Sequence, residues 1–302
     1  MMREGVIMYI SKLFDKKKVV FSFEIFPPRP TSPISTIYKT LEDLKDLSPN
    51  YISVTYGAGG SLSDNRTCEL SSLVKSRYKI ESLAHLTCIG STKPAIDAIL
   101  NELDKGNIKN ILALRGDIPK DSNIVGEFQY AYELIEYIKQ KNNFGIAAAC
   151  YPEGHIDSSS LEADIDALKI KVDSGSDYLI SQLFFDNNYF YNFLDLTVKK
   201  GIDVPIQAGI MPVANKRQIQ RIVSLCGATV PEKFRKILDR YEHDKDALQE
   251  AGIAYATEQI IDLISSGVRG IHLYTMNNPY IARKITENIG KIVEFINKDE
   301  KS

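Results

Sequence analysis

Glu24 is the ionisable residue whose place in the sequence suggests chemistry most directly. It interrupts the apolar run FSFEIF at residues 21–26, and a period of two places it on the face opposite Phe23. In a closed barrel that face can be the interior, where an unpaired carboxylate is costly. A carboxyl group kept there suits general acid catalysis, whereas a solvent-facing strand residue is the plainer alternative.

Three further features carry reactive or ligand-binding groups. Arg115-Gly116-Asp117 offers a cation and a carboxylate, although the same triplet fits a tight turn with an ion pair. His85 lies inside an apolar run and is either a hydrogen-bonded core residue or a functional base. The glycine-rich stretch at 57–60 would let backbone N–H groups approach a phosphate, but it matches neither GxGxxG nor a Walker A motif.

The composition argues against several classes of protein. The 302 residues include 37 Lys+Arg and 39 Asp+Glu, and a net charge of −2 gives no reason to expect a nucleic-acid partner. No apolar stretch is long enough to span a membrane, and no secretory signal precedes the first strand. Cys68, Cys88, Cys150 and Cys226 lie far apart without metal-ligand spacing. We therefore expect a cytoplasmic protein with no metal and no membrane partner.

The elements that must position these residues follow a regular order. Short apolar, β-branched runs alternate with longer amphipathic segments, which is typical of βα units around a parallel sheet. The runs lie at 19–26, 51–57, 81–88, 110–116, 145–152, 178–185, 204–211 and 270–276. Two of the amphipathic segments, 35–47 and 160–174, place their apolar residues on one stripe.

The longest gap lies before the last run and holds helical patterns near 215–226, 231–240 and 245–266. No linker rich in Pro, Gly or Ser divides the chain. The sequence therefore predicts an α/β protein: a single (β/α)8 TIM-type barrel over residues 1–302, with extra helices before the last strand. A doubly wound open sheet is the alternative.

Polar residues stand at nearly every predicted strand end. Active sites of such barrels lie at the carboxyl ends of the strands, so we expect one site there. Its candidate lining is Glu24, Thr55, Tyr56, His85, Arg115, Gly116, Asp117, Tyr151, His155, Gln182, Gln218 and Tyr274.

Taken in order, the motifs around these residues resemble those of the methylenetetrahydrofolate reductases. The similar motifs are FSFEIFPPRP, YISVTYGAGG, AHLTCIG, ILALRGDIP, AAACYPEGH, ADIDALKIKVDSGSDYLISQLFFD, AGIMPV and HLYTMN. The resemblance implies an FAD-binding oxidoreductase that acts on the CH–NH group of a folate. It implies a ping-pong reaction: NADH or NADPH passes hydride to FAD and leaves, and 5,10-methylenetetrahydrofolate then accepts it to give 5-methyltetrahydrofolate.

The resemblance also assigns roles around the folate. Glu24 matches the family's proton donor, which protonates N10 so that the folate ring opens to a 5-iminium cation. Asp117 matches an aspartate near flavin and pterin that stabilises this cation. Gln182 and Gln218 match glutamines that contact substrate. We expect Tyr274, at the end of the eighth strand, to bind substrate as well.

For FAD, the resemblance implies a larger set of positions. Arg115, His155 and Lys171 would meet the pyrophosphate or ribose, and Tyr151 would pack on a ring. The full set is Thr55, Tyr56, Ala58, His85, Arg115, Gly116, Asp117, Tyr130, Ala131, Tyr151, His155, Asp164 and Lys171. Asp164 and Lys171 are seven residues apart, so both can point from one face of a helix.

Five positions depart from the family pattern, and two of them, Ala167 and Ile170, replace polar residues that assist FAD in the family. Lys216 and Ile222 stand where the family often has Phe, and Asn278 stands where an Arg commonly follows the eighth strand. One alternative is therefore the same reaction with electrons from a partner redox protein. Others are a flavin-free, pterin-binding methyltransferase barrel and a non-catalytic scaffold. The resemblance also implies a homo-oligomer of identical barrels, and we expect no C-terminal regulatory domain.

Overall fold

The computed structural model describes residues 8–28, 31–56, 66–117, 126–141 and 144–298, and its centre is a closed parallel barrel. The strands are β1 (Val20–Ile25), β2 (Tyr51–Val54), β3 (Glu81–Thr87), β4 (Asn110–Leu114), β5 (Gly145–Cys150), β6 (Tyr178–Ser181), β7 (Ile206–Ile210) and β8 (Gly270–Tyr274). Each strand pairs with the next, and β1 pairs with β8 to close the ring. The predicted (β/α)8 barrel is confirmed.

Helices alternate with the strands, and those that follow β1 lie outside the barrel, whereas the first, α1, lies at its amino-terminal end. They are α1 (Leu13–Lys16), α2 (Tyr38–Leu44), α3 (Arg66–Tyr78), α4 (Lys93–Lys105), α5 (Ala131–Lys139), α6 (Leu161–Asp173), α7 (Asn187–Lys199), α8 (Lys216–Cys226), α9 (Glu232–Tyr241), α10 (Lys245–Ser265) and α11 (Pro279–Lys298). Short 3-10 turns at Ile34–Ile37 and Lys45–Leu47 flank α2, so the predicted helix at 35–47 is α-helical only in its middle. The extra helices expected between β7 and β8 are present.

The strands divide their side chains between two environments. In β1, Phe21, Phe23 and Ile25 belong to the large apolar layer beneath the helices. Ser22 and Glu24 face the barrel interior, because successive strand residues point to opposite faces. The period of two read from FSFEIF therefore locates Glu24 correctly inside the barrel.

The amino-terminal end of the barrel is filled by the start of the chain. Ile10, Leu13 and Phe14 pack in an apolar cluster with inward residues of the strands, among them Tyr51. Asn110 fixes this plug, since its Oδ1 accepts a hydrogen bond of 2.8 Å from the N–H of Ile10. The barrel is thus packed at this end, and its cavity lies at the other.

Residues 216–241, which comprise α8, α9 and their connection, form a structure that we call the side wall. Its apolar face joins the ends of β6 and β7 in a cluster separate from the main core. Phe234 of α9 lies between Phe185 and Tyr255, with ring centroids 4.9 Å and 4.4 Å away. The side wall is therefore attached by its own small core rather than by the sheet.

Candidate active site

A cavity of 820 Å³ opens at the carboxyl ends of the strands, where the sequence predicts the site. This volume is near the upper end of the range of about 300–1,000 Å³ that small-molecule sites occupy. Apolar residues from the β6, β7 and β8 ends and the side wall form one side of it: Leu183, Met211, Ile222 and Met276. The predicted residues in its lining are Glu24, Thr55, Tyr56, His85, Arg115, Gly116, Asp117, Tyr151, His155, Gln182 and Tyr274.

Glu24 lies between two buried imidazoles. Its Oε2 is 3.6 Å from Nε2 of His85 and 3.5 Å from Nε2 of His272. His272 comes from β8, the neighbour of β1, and His85 comes from β3 on the other side. The carboxyl side chain is 18% exposed, so it can be reached from the cavity while being largely withdrawn from water.

A chain of hydrogen bonds runs from Glu24 into the barrel interior. Nδ1 of His272 is 2.8 Å from Oγ of Ser22, which accepts a bond of 3.2 Å from Nε2 of Gln207. The hydroxyl of Tyr51 donates to Oε1 of Gln207. Buried polar groups need such partners, and a satisfied network holds each member in one orientation. The chain therefore fixes the His272 ring beside the carboxylate.

His85 occupies the other side of the carboxylate as a neutral ring. Burial lowers its pKa to about 4, an effect that Glu24 opposes and His272 reinforces. Its Nε2 is 2.6 Å from Oγ of Ser53, which anchors it to β2. At neutral pH, Glu24 thus has an uncharged imidazole as its neighbour on this side.

The end of β1 is also tied to the end of β8 through its backbone. Thr275 Oγ1 donates to the carbonyl of Glu24 at 2.6 Å. Asn277 accepts from the N–H of Phe26 at 3.0 Å and donates to its carbonyl at 2.9 Å. Asn277 has a φ of 54°, a left-handed conformation that asparagine tolerates better than most residues. These bonds hold the strand that carries Glu24 in place at the mouth.

The ends of β4 and β5 form a cationic and aromatic side of the cavity. Nη2 of Arg115 is 2.8 Å from Oδ2 of Asp157, whose N–H donates to Nδ1 of His155 at 3.0 Å. The His155 ring stands edge-on to Tyr151, with centroids 4.7 Å apart. Burial lowers the pKa of His155, and the Arg115 charge adds to this effect. The group combines a cation, an imidazole and an aromatic face.

Gly116 has a backbone path that a side chain would block. Its φ is 88°, and a Cβ there would come within 3.0 Å of Ile89 and 3.1 Å of Thr87. Glycine is therefore required both by the conformation and by the space beside the cavity. The backbone is exposed to an incoming ligand at this point.

Asp164 and Lys171 lie on α6 behind this side, not in the lining. Lys171 Nζ donates to the carbonyl of Ala149 at 2.7 Å and lies 5.6 Å from the centre of the Tyr151 ring. Burial lowers the pKa of Lys171, and the neighbouring Asp164 opposes this shift. Burial raises the pKa of Asp164, which Lys171 in turn opposes. Lys171, with Asp164 as its neighbouring charge, thus lies near the Tyr151 ring on the side behind the cavity lining.

Gln182 and Tyr274 both line the cavity, but they differ in whether their polar atoms are already hydrogen-bonded within the protein. Oε1 of Gln182 accepts the N–H of Leu183 at 2.9 Å, and no described residue accepts from its Nε2. The hydroxyl of Tyr274 donates to the carbonyl of Ser181 at 2.8 Å. Burial raises the pKa of Tyr274, so the phenol stays neutral. The amide of Gln182 is thus the group free to bond a ligand.

Several predicted residues lie away from the cavity lining. Gln218 is exposed on α8, one turn before Ile222. Tyr130 and Ala131 stand at the start of α5, where the Tyr130 ring is half exposed. Ala58 lies outside the described residues.

Three of the five departures from the family pattern come from α8 and from the segment after β8, and their surroundings differ. Lys216 is paired with Asp239 at 2.8 Å and with Glu242, so it joins α8 to α9. Nδ2 of Asn278 donates to Oε1 of Gln249 in α10 at 3.2 Å. Ile222 alone of the three is in the lining.

The residues missed by sequence reasoning are Ser22, Ser53 and His272. Each lies two residues before a predicted residue: Ser22 before Glu24, Ser53 before Thr55 and His272 before Tyr274. The alternation that located Glu24 therefore contained this signal as well.

The described part of the chain holds no cluster of three or more metal-ligating side chains, and none of its helices is long and apolar enough to cross a membrane.

The four cysteines are free thiols, of which Cys68, Cys88 and Cys150 are buried. Burial raises the pKa of each of these three thiols.

Comparison with known proteins shows similarity to methylenetetrahydrofolate reductases. The family described as methylenetetrahydrofolate reductase matches residues 9–290. The 5,10-methylenetetrahydrofolate reductase of Pectobacterium carotovorum subsp. carotovorum is 33% identical over 288 residues, which cover 95% of this chain and 95% of that protein. Methylenetetrahydrofolate reductase (NADH) 1 of Arabidopsis thaliana is 33% identical over 304 residues, which cover 96% of this chain and 51% of the plant protein. The chain thus spans half the length of its plant relative.

A solved structure has a similar fold at low sequence identity. It is an uncharacterized protein from Clostridium thermocellum that binds two copies of 5-methyl-5,6,7,8-tetrahydrofolic acid. Its TM-score is 0.65 at 12% identity, and the match covers 95% of this chain and 100% of that one. At this identity the likeness concerns the barrel fold.

Proposed function

The chain belongs to the methylenetetrahydrofolate reductase family, and from this premise we propose that it reduces 5,10-methylenetetrahydrofolate to 5-methyltetrahydrofolate, with FAD as cofactor and a reduced nicotinamide as donor. The observation that carries the proposal is Glu24, a carboxyl group held between two imidazoles beside a cavity of ligand size. Such a group can deliver a proton to a bound base. The folate bound by the Clostridium thermocellum protein agrees with a folate substrate for this fold.

The β4 and β5 side of the cavity suits FAD by its chemistry. Arg115 and His155 offer donors for a pyrophosphate or ribose, and Tyr151 offers an aromatic face. Lys171 adds positive charge behind Tyr151, and Gly116 keeps the backbone open where a Cβ would intrude. When bound, FAD would supply hydride chemistry between the nicotinamide and the folate.

Glu24 provides the step that the folate itself needs. Its carboxyl proton goes to N10 of 5,10-methylenetetrahydrofolate, the N10–CH2 bond breaks, and the carbon becomes an electrophilic 5-iminium. After hydride reaches that carbon, the proton from Glu24 stays on N10 of the product. His85 and His272 hold the carboxyl group in place, and the free amide of Gln182 can bond the folate. Asp117, at the exposed rim, adds negative charge toward the cation.

The test is the visible absorption spectrum of the purified protein under anaerobic conditions, before and after NADH or NADPH. We expect flavin bands that bleach with one nicotinamide and return when 5,10-methylenetetrahydrofolate is added. Bands that persist with both nicotinamides would favour a partner redox protein as donor. A protein that neither contains flavin nor binds added FAD would overturn the proposal and favour the methyltransferase or scaffold alternative.

A further inference from the structure

The guanidinium of Arg115 is bonded within the protein through two of its three nitrogens. Its Nε donates to the carbonyl of Gly116 at 3.3 Å, and its Nη2 donates to Oδ2 of Asp157 at 2.8 Å. No described residue accepts from its Nη1. A phosphate is held most strongly when one guanidinium gives it two parallel N–H bonds. The Asp157 carboxylate therefore holds one of the two terminal nitrogens that such an anion would use.

The backbone of Asp157 makes a separate contact with His155. Its N–H donates to Nδ1 of His155 at 3.0 Å. A ring nitrogen that accepts a hydrogen bond carries no proton, so the ring is neutral and its N–H is at Nε2. Burial and the Arg115 charge both lower the pKa of His155, whereas the Asp157 charge opposes them. The backbone of Asp157 thus prepares His155 as a donor, while its side chain neutralises Arg115.

The two partners of this ion pair differ in their exposure. The Asp157 side chain is 61% exposed, and that of Arg115 is 27% exposed. Arg115 and His155 line the cavity, whereas Asp157 is not in the lining. An ion pair with such an exposed carboxylate contributes little to stability, because water solvates the separated charge well. An anion bound in the cavity can therefore take Arg115 as its partner and leave Asp157 to the solvent.

Resting on the proposed function, we propose that Asp157 competes with the pyrophosphate of FAD for Arg115 and thereby weakens the binding of the cofactor. Two effects act in this direction. The pyrophosphate has to displace the carboxylate from Nη2 to form two bonds, and the two anions repel each other while both are near the guanidinium. Lys171 does not replace Arg115, because it donates to the carbonyl of Ala149 behind the Tyr151 ring.

The experiment measures the Kd of FAD by equilibrium dialysis of the full-length apoprotein. Asp157→Asn keeps the backbone N–H and the size of the side chain but removes its charge. We expect it to lower the Kd about three- to fivefold at low ionic strength, with a smaller gain at high ionic strength. Asp157→Glu keeps a carboxylate and should stay within about twofold of the wild type. The matched control Glu162→Gln removes one exposed charge from α6 and should leave the Kd unchanged.

Arg115→Gln shows whether the effect passes through the guanidinium. In that background Asp157→Asn should no longer lower the Kd of FAD, because the two anions have no shared cation.

Three results would overturn the competition. They are a Kd that Asp157→Asn leaves unchanged or raises, the same gain in Glu162→Gln, and the same gain from Asp157→Asn in the Arg115→Gln background. In each case FAD binding by the wild type would leave the proposed function standing. A wild type that binds no FAD would instead refute the proposed function.

Discussion

The floor of the cavity and its side wall are built by different means. The floor, which comprises Ser22, Glu24, Ser53, His85 and His272, lies on paired strands and is joined by buried hydrogen bonds. The side wall, residues 216–241, is held by an apolar cluster and by polar contacts near the surface. The floor can thus hold a reacting group within narrow limits, whereas the wall can change its exposed residues without disturbing the barrel.

The departures from the family pattern all lie outside the floor. Lys216 and Ile222 lie in the side wall, Asn278 lies after β8, and Ala167 and Ile170 lie on α6, while Glu24 of the floor matches its motif. Partly exposed positions such as Lys216, Ile222 and Asn278 tolerate a change of side-chain type, but a buried polar network fails when one member is lost. Chemistry therefore belongs to the floor and selection of ligands to the wall, and four changes test this difference.

Glu24→Gln should have the largest effect. The amide keeps the shape of the side chain but cannot give a proton to N10, so we expect the folate half-reaction to slow about 10³-fold. Reduction of the flavin by nicotinamide should be nearly unchanged, as measured by stopped-flow absorbance of each half-reaction. Glu162→Gln, on the exposed face of α6, is the control and should alter neither. Equal loss of both half-reactions would remove the specific role of Glu24.

The floor should also be sensitive to acid through His85. Its pKa is about 4 when folded against 6.5 for an exposed imidazole, so the unfolded chain binds more protons between these values. The contribution is fully present above pH 6.5 and is lost as the pH falls toward 4, by about 3 kcal/mol in all. Urea unfolding of the wild type and His85→Gln at several pH values measures it. Parallel stability curves for the two proteins would contradict the assignment.

His272→Asn breaks the link between Glu24 and Ser22. We expect an unfolding free energy lower by about 1–3 kcal/mol, because buried partners lose a hydrogen bond. We also expect the folate half-reaction to slow about tenfold, because the carboxyl group is no longer held by an imidazole on this side. Tyr51→Phe, at the other end of this series of hydrogen bonds, should lower stability and leave the rate of the folate half-reaction unchanged. An equal rate of that half-reaction in all three proteins would show that His272 is only a structural residue.

Glu153→Gln should have the smallest effect, because it loosens only the side wall. Both carboxylate oxygens accept the N–H of Thr229, at 3.2 Å and 3.0 Å, and burial raises the pKa of Glu153. With one oxygen left, the wall should move slightly and the folate KM should rise about two- to fivefold with little change in kcat. Glu232→Gln on α9 is the exposed control. A lower kcat at constant KM would place Glu153 with the floor instead.

Local patterns in the sequence determined the elements and much of the site. The alternation in FSFEIF places Glu24 inside, and the long gap before β8 predicts added helices, because both are repeats over neighbouring residues. The same reasoning places Arg115, Tyr151 and Gln182 at strand ends, where the structure has them in one cavity. The family resemblance also implies Gln218 and Tyr130 as site residues, and both lie outside that lining.

The tertiary structure alone decided which residues meet. His272 meets Glu24 because β1 pairs with β8 and closes the barrel, and His85 reaches the same oxygen from β3, across β2. The position of Ile222 in the cavity lining depends on how the side-wall cluster orients α8. Periodicity is a property of neighbours along the chain, whereas register, closure and the rotation of a helix are set by packing between distant segments.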